Sequence, residues 1–318
     1  MNPKDIKKAE EKPLFSILIP TWNCLEFLKL CIRSIERNST YRHEILIHVN
    51  DGSDGTLEWV REKGYKYTWS KENIGVCWSM NALRPLMTTE YAAYINDDMY
   101  VLPGWDEALY DEIKHQPDKL WYLASTLIEP EAKLRHYSDR VFGLTPDTFR
   151  EEELLAAAES LKTEDWRGAV RPLTVVHRDI WDLIGGYSIE FSPGMASDQD
   201  FCAKLWMAGV RRFKGVGRSL VYHFKSISVN RIVKNDGNAQ FLRKWGLTVR
   251  AFHKEILLLD RPWEERPALN PKTLGTELTR SGIKKLLKVF ANPGAKQLWD
   301  DPDFDNPATI YPETGKAE

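Results

Sequence analysis

The glycine signatures that cradle phosphates are missing from this chain. Its first apolar run, "FSILIP" (15–20), continues into "TWNCLEF" with no G-x-G-x-x-G, and G-x-x-x-x-G-K-[ST] occurs nowhere. A dinucleotide-binding first turn and a P-loop are therefore excluded. "GVGRSL" (215–220) has two glycines, but it falls late and leads into a strand. Cysteine is scarce: Cys24, Cys31, Cys77 and Cys202 form no C-x-x-C pair and no metal-ligand spacing. Reduced, buried thiols and a cytoplasmic location are expected. No run of 18 apolar residues is present, which predicts no membrane-spanning helix. The charged opening "MNPKDIKKAEEKP" lacks the apolar core of a secretory signal. A basic excess is absent too, since 44 Lys and Arg face 46 Asp and Glu. That balance gives no electrostatic footprint of a nucleic-acid binder.

What is present begins with a regular alternation. The 318 residues, 42% of them hydrophobic, suffice for a sizeable core in one large or two modest domains. "FSILIP" reads as a buried strand, and "CLEFLKLCIRSIERN" follows with Leu25, Leu28, Ile32 and Ile35 at helical spacing. "EILIHV" (44–49) is the next strand, and "GTLEWVREKG" (55–64) a helix that stops at Gly64. "KYTWS", the helical "GVCWSMNALRPLM" (75–87) and the buried "YAAYIN" (91–96) continue the pattern. Such alternation predicts an α/β fold with a mainly parallel sheet covered by helices on both faces. Ligands in these sheets sit beyond the carboxyl ends of the strands. Asp97 and Asp98 lie at one such end.

The second half is less regular. "LWYLASTLI" (120–128), "PLTVVH" (172–177) and "SLVYHF" (219–224) read as strands. "TFREEELLAAAESLKTED" (148–165) and "DQDFCAKLWMAG" (198–209) read as helices, the second preceded by the glycine turn "IGGY" (184–187). Beyond Gly246 the chain is Pro-rich and charged, and the stretch from Trp299 onward reads as an extended tail. The 12 Trp suit a core or interfaces, although indole faces also stack on sugar rings.

Four stretches, "FSILIPTWNCLEFLKLCIRSI", "EILIHVNDGSDGT", "KENIGVCWSMNAL" and "YINDDMYVLPGW", occur in an order and spacing that resembles the nucleotide-binding half of the family 2 glycosyltransferases. "IGGYSIEF", "SDQDFCAKLWMAG" and "VYHFKSIS" resemble that family's acceptor half, so the likeness covers roughly residues 14–228. It implies the GT-A fold, with a charged tail over 1–13 and a nucleotide-sugar-binding half over 14–105. An acceptor-binding and catalytic half over 106–246 and a helical extension over 247–318 would follow.

The same resemblance assigns roles. Pro20, Thr21 and Asn23 would line the pocket for base and ribose, and Asp51 would accept a hydrogen bond from the base. "NDGSDGT" (50–56) is one residue shorter than the family's acidic motif, with Asn50 for its first Asp. Asp and Gly there also suit a plain turn. Asn73 and Gly75 match a loop that crosses the donor, while Asn81 on the next helix serves packing. The family's Asp-x-Asp, counted back from Pro103, falls on Asn96 and Asp98. Asp98 is then the metal ligand, Asp97 the variable middle residue, and Asn96 a departure that removes one charge. His223 matches a histidine that completes the metal site, for Mn²⁺ or Mg²⁺. Asp198 aligns with the base that takes the acceptor proton, with Ser197 for the usual Glu and Asp200 at the later acidic position. An Asp at a helix start is also a good cap, and Asp165 in "TEDWRG" is a rival base.

The implied activity is inverting transfer of a sugar from a nucleotide diphosphate to an acceptor hydroxyl. A non-catalytic nucleotide-sugar-binding module and a nucleotidyltransferase are the alternatives. The acceptor, expected over 129–195, is left open among a glycan, a lipid-linked sugar, another hydroxyl compound and a nucleic acid. In "SGIKKLLKVF" (281–290), Ile283, Leu286, Leu287 and Phe290 share a helical face. That face is expected to pack on the catalytic domain, with peripheral contact to an anionic membrane as the second reading.

Overall fold

A computed structural model describes residues 12–225, 234–265, 267–290 and 313–315. The core begins with β1 (Phe15–Trp22), whose Phe15, Ile17, Leu18 and Ile19 are buried on both faces. Parallel partners flank it: β2 (Glu44–Asn50) on one side and β4 (Tyr91–Tyr94) on the other, with β3 (Lys66–Ser70) beyond β2. The connections are α1 (Leu25–Asn38), α2 (Thr56–Lys63) and α3 (Gly75–Leu83). Strands buried on both faces and joined by helical crossovers are what continuous apolar runs such as "SILI" predict.

The sheet then becomes mixed. After β5 (Met99–Val101) and α4 (Trp105–Lys114) comes β6 (Trp121–Ile128), buried along its whole length. The segment 129–171 leaves the sheet, carries α5 (Glu151–Leu161) and returns through the short β7 (Trp166–Arg167). β8 (Thr174–His177) fills the gap between β4 and β6, antiparallel to both. α6 (Arg178–Ile184) and α7 (Ser197–Met207) precede β9 (Arg212–His223), which runs parallel to β6. With β10 (Glu313–Gly315), the described strands form one sheet in the order β10-β3-β2-β1-β4-β8-β6-β9-β5, β7 pairing with β9.

Two consequences of this topology matter. β1, β2, β3, β4, β6 and β9 all point the same way, so their carboxyl ends share one sheet edge. Antiparallel β8 brings its amino end, and Arg171 just before it, to that same edge. Second, β9 begins at Arg212, upstream of the strand expected from Ser219. The glycines of "GVGRSL" are therefore strand residues. A Cβ on Gly215 would lie 1.8 Å from the Trp166 ring, and one on Gly217 1.9 Å from the Thr163 carbonyl. Glycine is required where β7 crosses so closely.

The C-terminal extension opens with α8 (Gly237–Trp245), which docks on α7: Trp245 Nε1 donates to Asp200 Oδ1 at 2.8 Å. Later, α9 (Pro271–Phe290) rests on the body through Ser281, whose Oγ accepts from Thr248 N at 3.2 Å, and Thr273, which bonds Glu255 at 2.6 Å. The apolar face expected to pack inward points outward instead: Ile283, Leu286 and Leu287 are 56%, 58% and 63% exposed. Ser281 lies about half a turn of the helical wheel from Leu286 and Leu287, so docking through it turns that face to solvent. Residues 1–11, and the tail from Trp299 other than β10, fall outside the described residues. No described helix is long and apolar enough to cross a membrane.

Candidate active site

The first cluster lies at the ends of β1 and β2. Pro20 sits beyond the last rung that β1 shares with β4, Leu18 opposite Tyr94, so its missing N–H costs no bond on that side. Asn23 and Asp51, each just past its strand, take left-handed backbone conformations (φ 46° and 63°), which Asn and Asp tolerate better than other side chains. Those turns bring them together: Asn23 Nδ2 donates to Asp51 Oδ2 at 2.8 Å, and Gly52 N donates to Asn23 Oδ1 at 3.0 Å. The hydrogen bond from Asn23 holds the Asp51 carboxyl below its ordinary pKa. Thr21 is buried, and its Oγ1 has no hydrogen-bond partner among the described residues.

Asn50 ties this cluster to the next loop. Its amide donates to Thr21 O at 3.1 Å and Ser79 Oγ at 3.1 Å, while its oxygen accepts from Ile74 N at 2.9 Å. An ionised Asp could accept but not donate, which accounts for Asn where the resemblance expects a carboxylate. Asn73 Oδ1 accepts from Gly75 N at 2.9 Å and so shapes the start of α3. Gly75, at φ 77°, lies where a Cβ would be 2.6 Å from Pro193 Cα. There the start of α3 meets the loop that leads into α7.

The second cluster forms where β4 turns into β5. Asn96 is half-buried, and its carbonyl accepts from Cys31 Sγ at 3.6 Å. Asp97 and Asp98 are buried to 8% and 5% exposure. Burial raises the Cys31 thiol's pKa well above its usual value, and the charges of Asp97 and then Asp98 add to that rise. Met99 pairs with His223 across β5 and β9, and Phe224 N donates to Asp98 O at 3.1 Å. The two side chains consequently meet, with His223 Nε2 3.4 Å from Asp98 Oδ1. Burial would lower the His223 pKa, but Asp98 and Glu129 outweigh it and raise it to about 9.

Glu129, which the sequence reading did not single out, stands behind that histidine. It is 1% exposed, and its Oε2 lies 3.0 Å from His223 Nδ1. Its Oε1 accepts from Arg171 Nη1 at 3.0 Å, and Lys225 Nζ is 3.5 Å away. The signal was available: a carboxylate directly after eight buried strand residues has the same placement as Asp97 and Asp98.

The donor set suits a hard divalent cation. A carboxylate oxygen and an imidazole nitrogen face each other, in keeping with Mn²⁺ or Mg²⁺. Among the described residues no three His, Cys, Asp or Glu converge as a closed cage. Phosphate oxygens and water would therefore supply the other positions.

Asp198 forms the third part, in the first turn of α7. Burial raises its pKa to about 7, against a lowering by the Tyr187 hydroxyl, which donates to Oδ1 at 3.4 Å, and by the charge of Arg171. Tyr187 is held in turn by Asn81, which bonds both its backbone N–H and its carbonyl. The other acidic candidates are engaged elsewhere. Asp200 is fully buried and tied to Trp245 and to Lys244, 2.9 Å away. Asp165 accepts from Gly217 N at 2.8 Å through one oxygen and pairs with Lys214 at 2.7 Å through the other.

A sheet whose aligned strand ends carry a polar loop pair, an acidic turn with a facing histidine, and an aspartate opening a later helix has the layout of the GT-A glycosyltransferases. Residues 16–173 match the glycosyl transferase family 2 profile, and the chain belongs to that family. It is 25% identical over 287 residues to the uncharacterized protein y4gI of Sinorhizobium fredii (strain NBRC 101917 / NGR234), a match covering 82% of this chain. The chain spans 29% of that protein's length. Among solved structures it resembles S. aureus TarS 1-349, at a TM-score of 0.54 and 12% identity, over 92% of this chain and 76% of that one. The same S. aureus TarS fragment in complex with UDP-GlcNAc matches at a TM-score of 0.53 and 12% identity, over 92% and 77% of the two chains.

Proposed function

We propose that the protein transfers a sugar from a nucleotide diphosphate to an acceptor hydroxyl, with inversion at the anomeric carbon. The observation that carries this reading is the shared sheet edge. It gathers the Asn23–Asp51 pair, the Asp98–His223 pair and Asp198, whose pKa near 7 suits a general base. The nucleotide would lie over Thr21, Asn23 and Asp51, with Asp51 accepting from the base. A Mn²⁺ or Mg²⁺ ion held by Asp98 and His223 would neutralise the charge growing on the departing diphosphate. Asp97 and Asn96 flank that position, and Asn96 has an amide to offer the ribose.

Asp198 takes the proton of the acceptor hydroxyl as its oxygen bonds to the anomeric carbon. The bond from that carbon to the phosphate oxygen breaks, and its electron pair leaves with the diphosphate. Tyr187 orients the carboxylate. The neighbour's complex with UDP-GlcNAc supports a uridine diphosphate sugar as the first donor to try. Incubation of the protein and Mn²⁺ with a panel of nucleotide sugars, reading released nucleotide with and without candidate acceptors, tests the proposal. Release from at least one donor, increased by an acceptor, is the expected result. Binding of every donor with release from none would instead identify a non-catalytic module.

A further inference from the structure

A histidine at the end of a strand does not coordinate by composition alone. Its ring has two nitrogens and two tautomers, and either face of a broad two-fold χ2 well is open to it. His223 is restrained by what lies behind it. An ionised carboxylate can only accept, so in the 3.0 Å contact with Glu129 Oε2 the proton sits on His223 Nδ1. Nε2 is thereby left facing Asp98, 3.4 Å from its Oδ1.

Glu129 is itself well fixed. It directly follows β6, whose eight residues are all buried, and its backbone N–H donates to Ser138 O at 2.9 Å. A carboxylate this buried is costly unless paired. Arg171 meets it from the turn before β8, and Lys225 from just past β9. The side chains thus run Arg171–Glu129–His223–Asp98 across the ends of four neighbouring strands. Three of the four positions are more than forty residues apart, and only the mixed sheet order β8-β6-β9-β5 brings them into line.

We infer that Glu129 is the positioning residue of this site, orienting His223 so that its Nε2 serves as the nitrogen ligand of the diphosphate-bound cation. The inference rests on the metal-assisted reading above and adds a residue to it. Orienting carboxylates behind metal-bound imidazoles are a recurrent device, and their loss typically weakens metal affinity 10–100-fold.

The test uses the full chain with UDP and Mn²⁺ and does not depend on turnover. Pulsed electron paramagnetic resonance of bound Mn²⁺ reports nitrogen coupling from an imidazole ligand, and calorimetry reports the gain in UDP affinity that Mn²⁺ brings. Wild type is expected to show both, and His223→Ala to lose the coupling. Glu129→Leu should lose the coupling and about 10–100-fold of the Mn²⁺-dependent gain, with UDP affinity in the absence of metal unchanged. Wild-type coupling and gain in Glu129→Leu would overturn the inference. Should that variant fail to fold, Glu129→Asp decides: it keeps the charge but draws the oxygen away from Nδ1, so weakened coupling is expected and unchanged coupling overturns. A wild type with no nitrogen coupling would remove His223 from the metal site, and this inference with it. Release of nucleotide in that case would leave the transferase reading standing.

Discussion

Asn81 grips Tyr187 by the backbone at both ends, its Nδ2 donating to the Tyr187 carbonyl at 2.7 Å and its Oδ1 accepting from the Tyr187 N–H at 2.8 Å. The neighbouring Gly186 is in a left-handed turn (φ 63°), where a Cβ would be 2.4 Å from that same Asn81 oxygen. Helix α3 thus sets where the hydroxyl of Tyr187 meets Asp198. Replacing Asn81 by Leu keeps the branching at Cγ and removes both bonds. The expected result is a stability loss of about 1–3 kcal/mol and slower transfer, with nucleotide affinity intact. Unchanged transfer in a variant of lowered Tm would show that the clasp is purely structural.

Asp198 should set the pH dependence. Only its ionised form accepts a proton, so transfer is expected to rise with pH through about 7 and then level off. Asp198→Asn should cut transfer ~10²–10⁴-fold and abolish that limb, while Asp165→Asn leaves both in place. The reverse pattern would reassign the base. The sign for stability is opposite: the native state keeps a proton that the unfolded chain has already lost. This group's contribution to stability therefore declines between about pH 4 and pH 7.

At the acidic turn, the discriminating measurement is UDP binding with and without Mn²⁺. Wild type should gain affinity from the metal, because the cation relieves repulsion between diphosphate and protein carboxylates. Asp98→Ala should lose that gain and nearly all transfer. Asp97→Ala should lose part of it. Complete loss in Asp97→Ala with retention in Asp98→Ala would shift the ligand by one residue.

The outward face of α9 has a separate test. Leu278, Ile283, Leu286 and Leu287 are exposed, and Lys284 and Lys285 lie on the same helix. A basic amphipathic helix of this kind is expected to bind anionic vesicles. Leu286→Asp combined with Leu287→Asp should abolish co-sedimentation without lowering Tm. Equal sedimentation of wild type and variant would remove the membrane reading.

Much of this site could be read from order along the chain. Ligands sit beyond strand ends in α/β sheets, so Asp97 and Asp98 stood out once the strands were located, whereas Asn23, Asp51 and His223 were singled out by the family resemblance. The partnerships could not be read. Glu129 and His223 are 94 positions apart, and nothing local signals their contact. Asp200 has the composition of a catalytic acid, yet Trp245 and Lys244 on a later helix convert it into a buried anchor. Helical periodicity disclosed the apolar face of α9 but not what that face meets. The glycines of β9 were left outside the expected strand, because what requires them, the Trp166 ring and the Thr163 carbonyl, lies about fifty residues upstream.

The placement of the four thiols has a practical use. Cys31, Cys77 and Cys202 are buried, and burial pushes their pKa values up, leaving little reactive thiolate at neutral pH. Cys24 is the partly exposed one, and it directly follows Asn23, which we propose lines the nucleotide site. A maleimide dye added to the unaltered protein should therefore attach at a single position. If the donor binds as proposed, a dye at that position should report its occupancy, with no cysteine to engineer in or out.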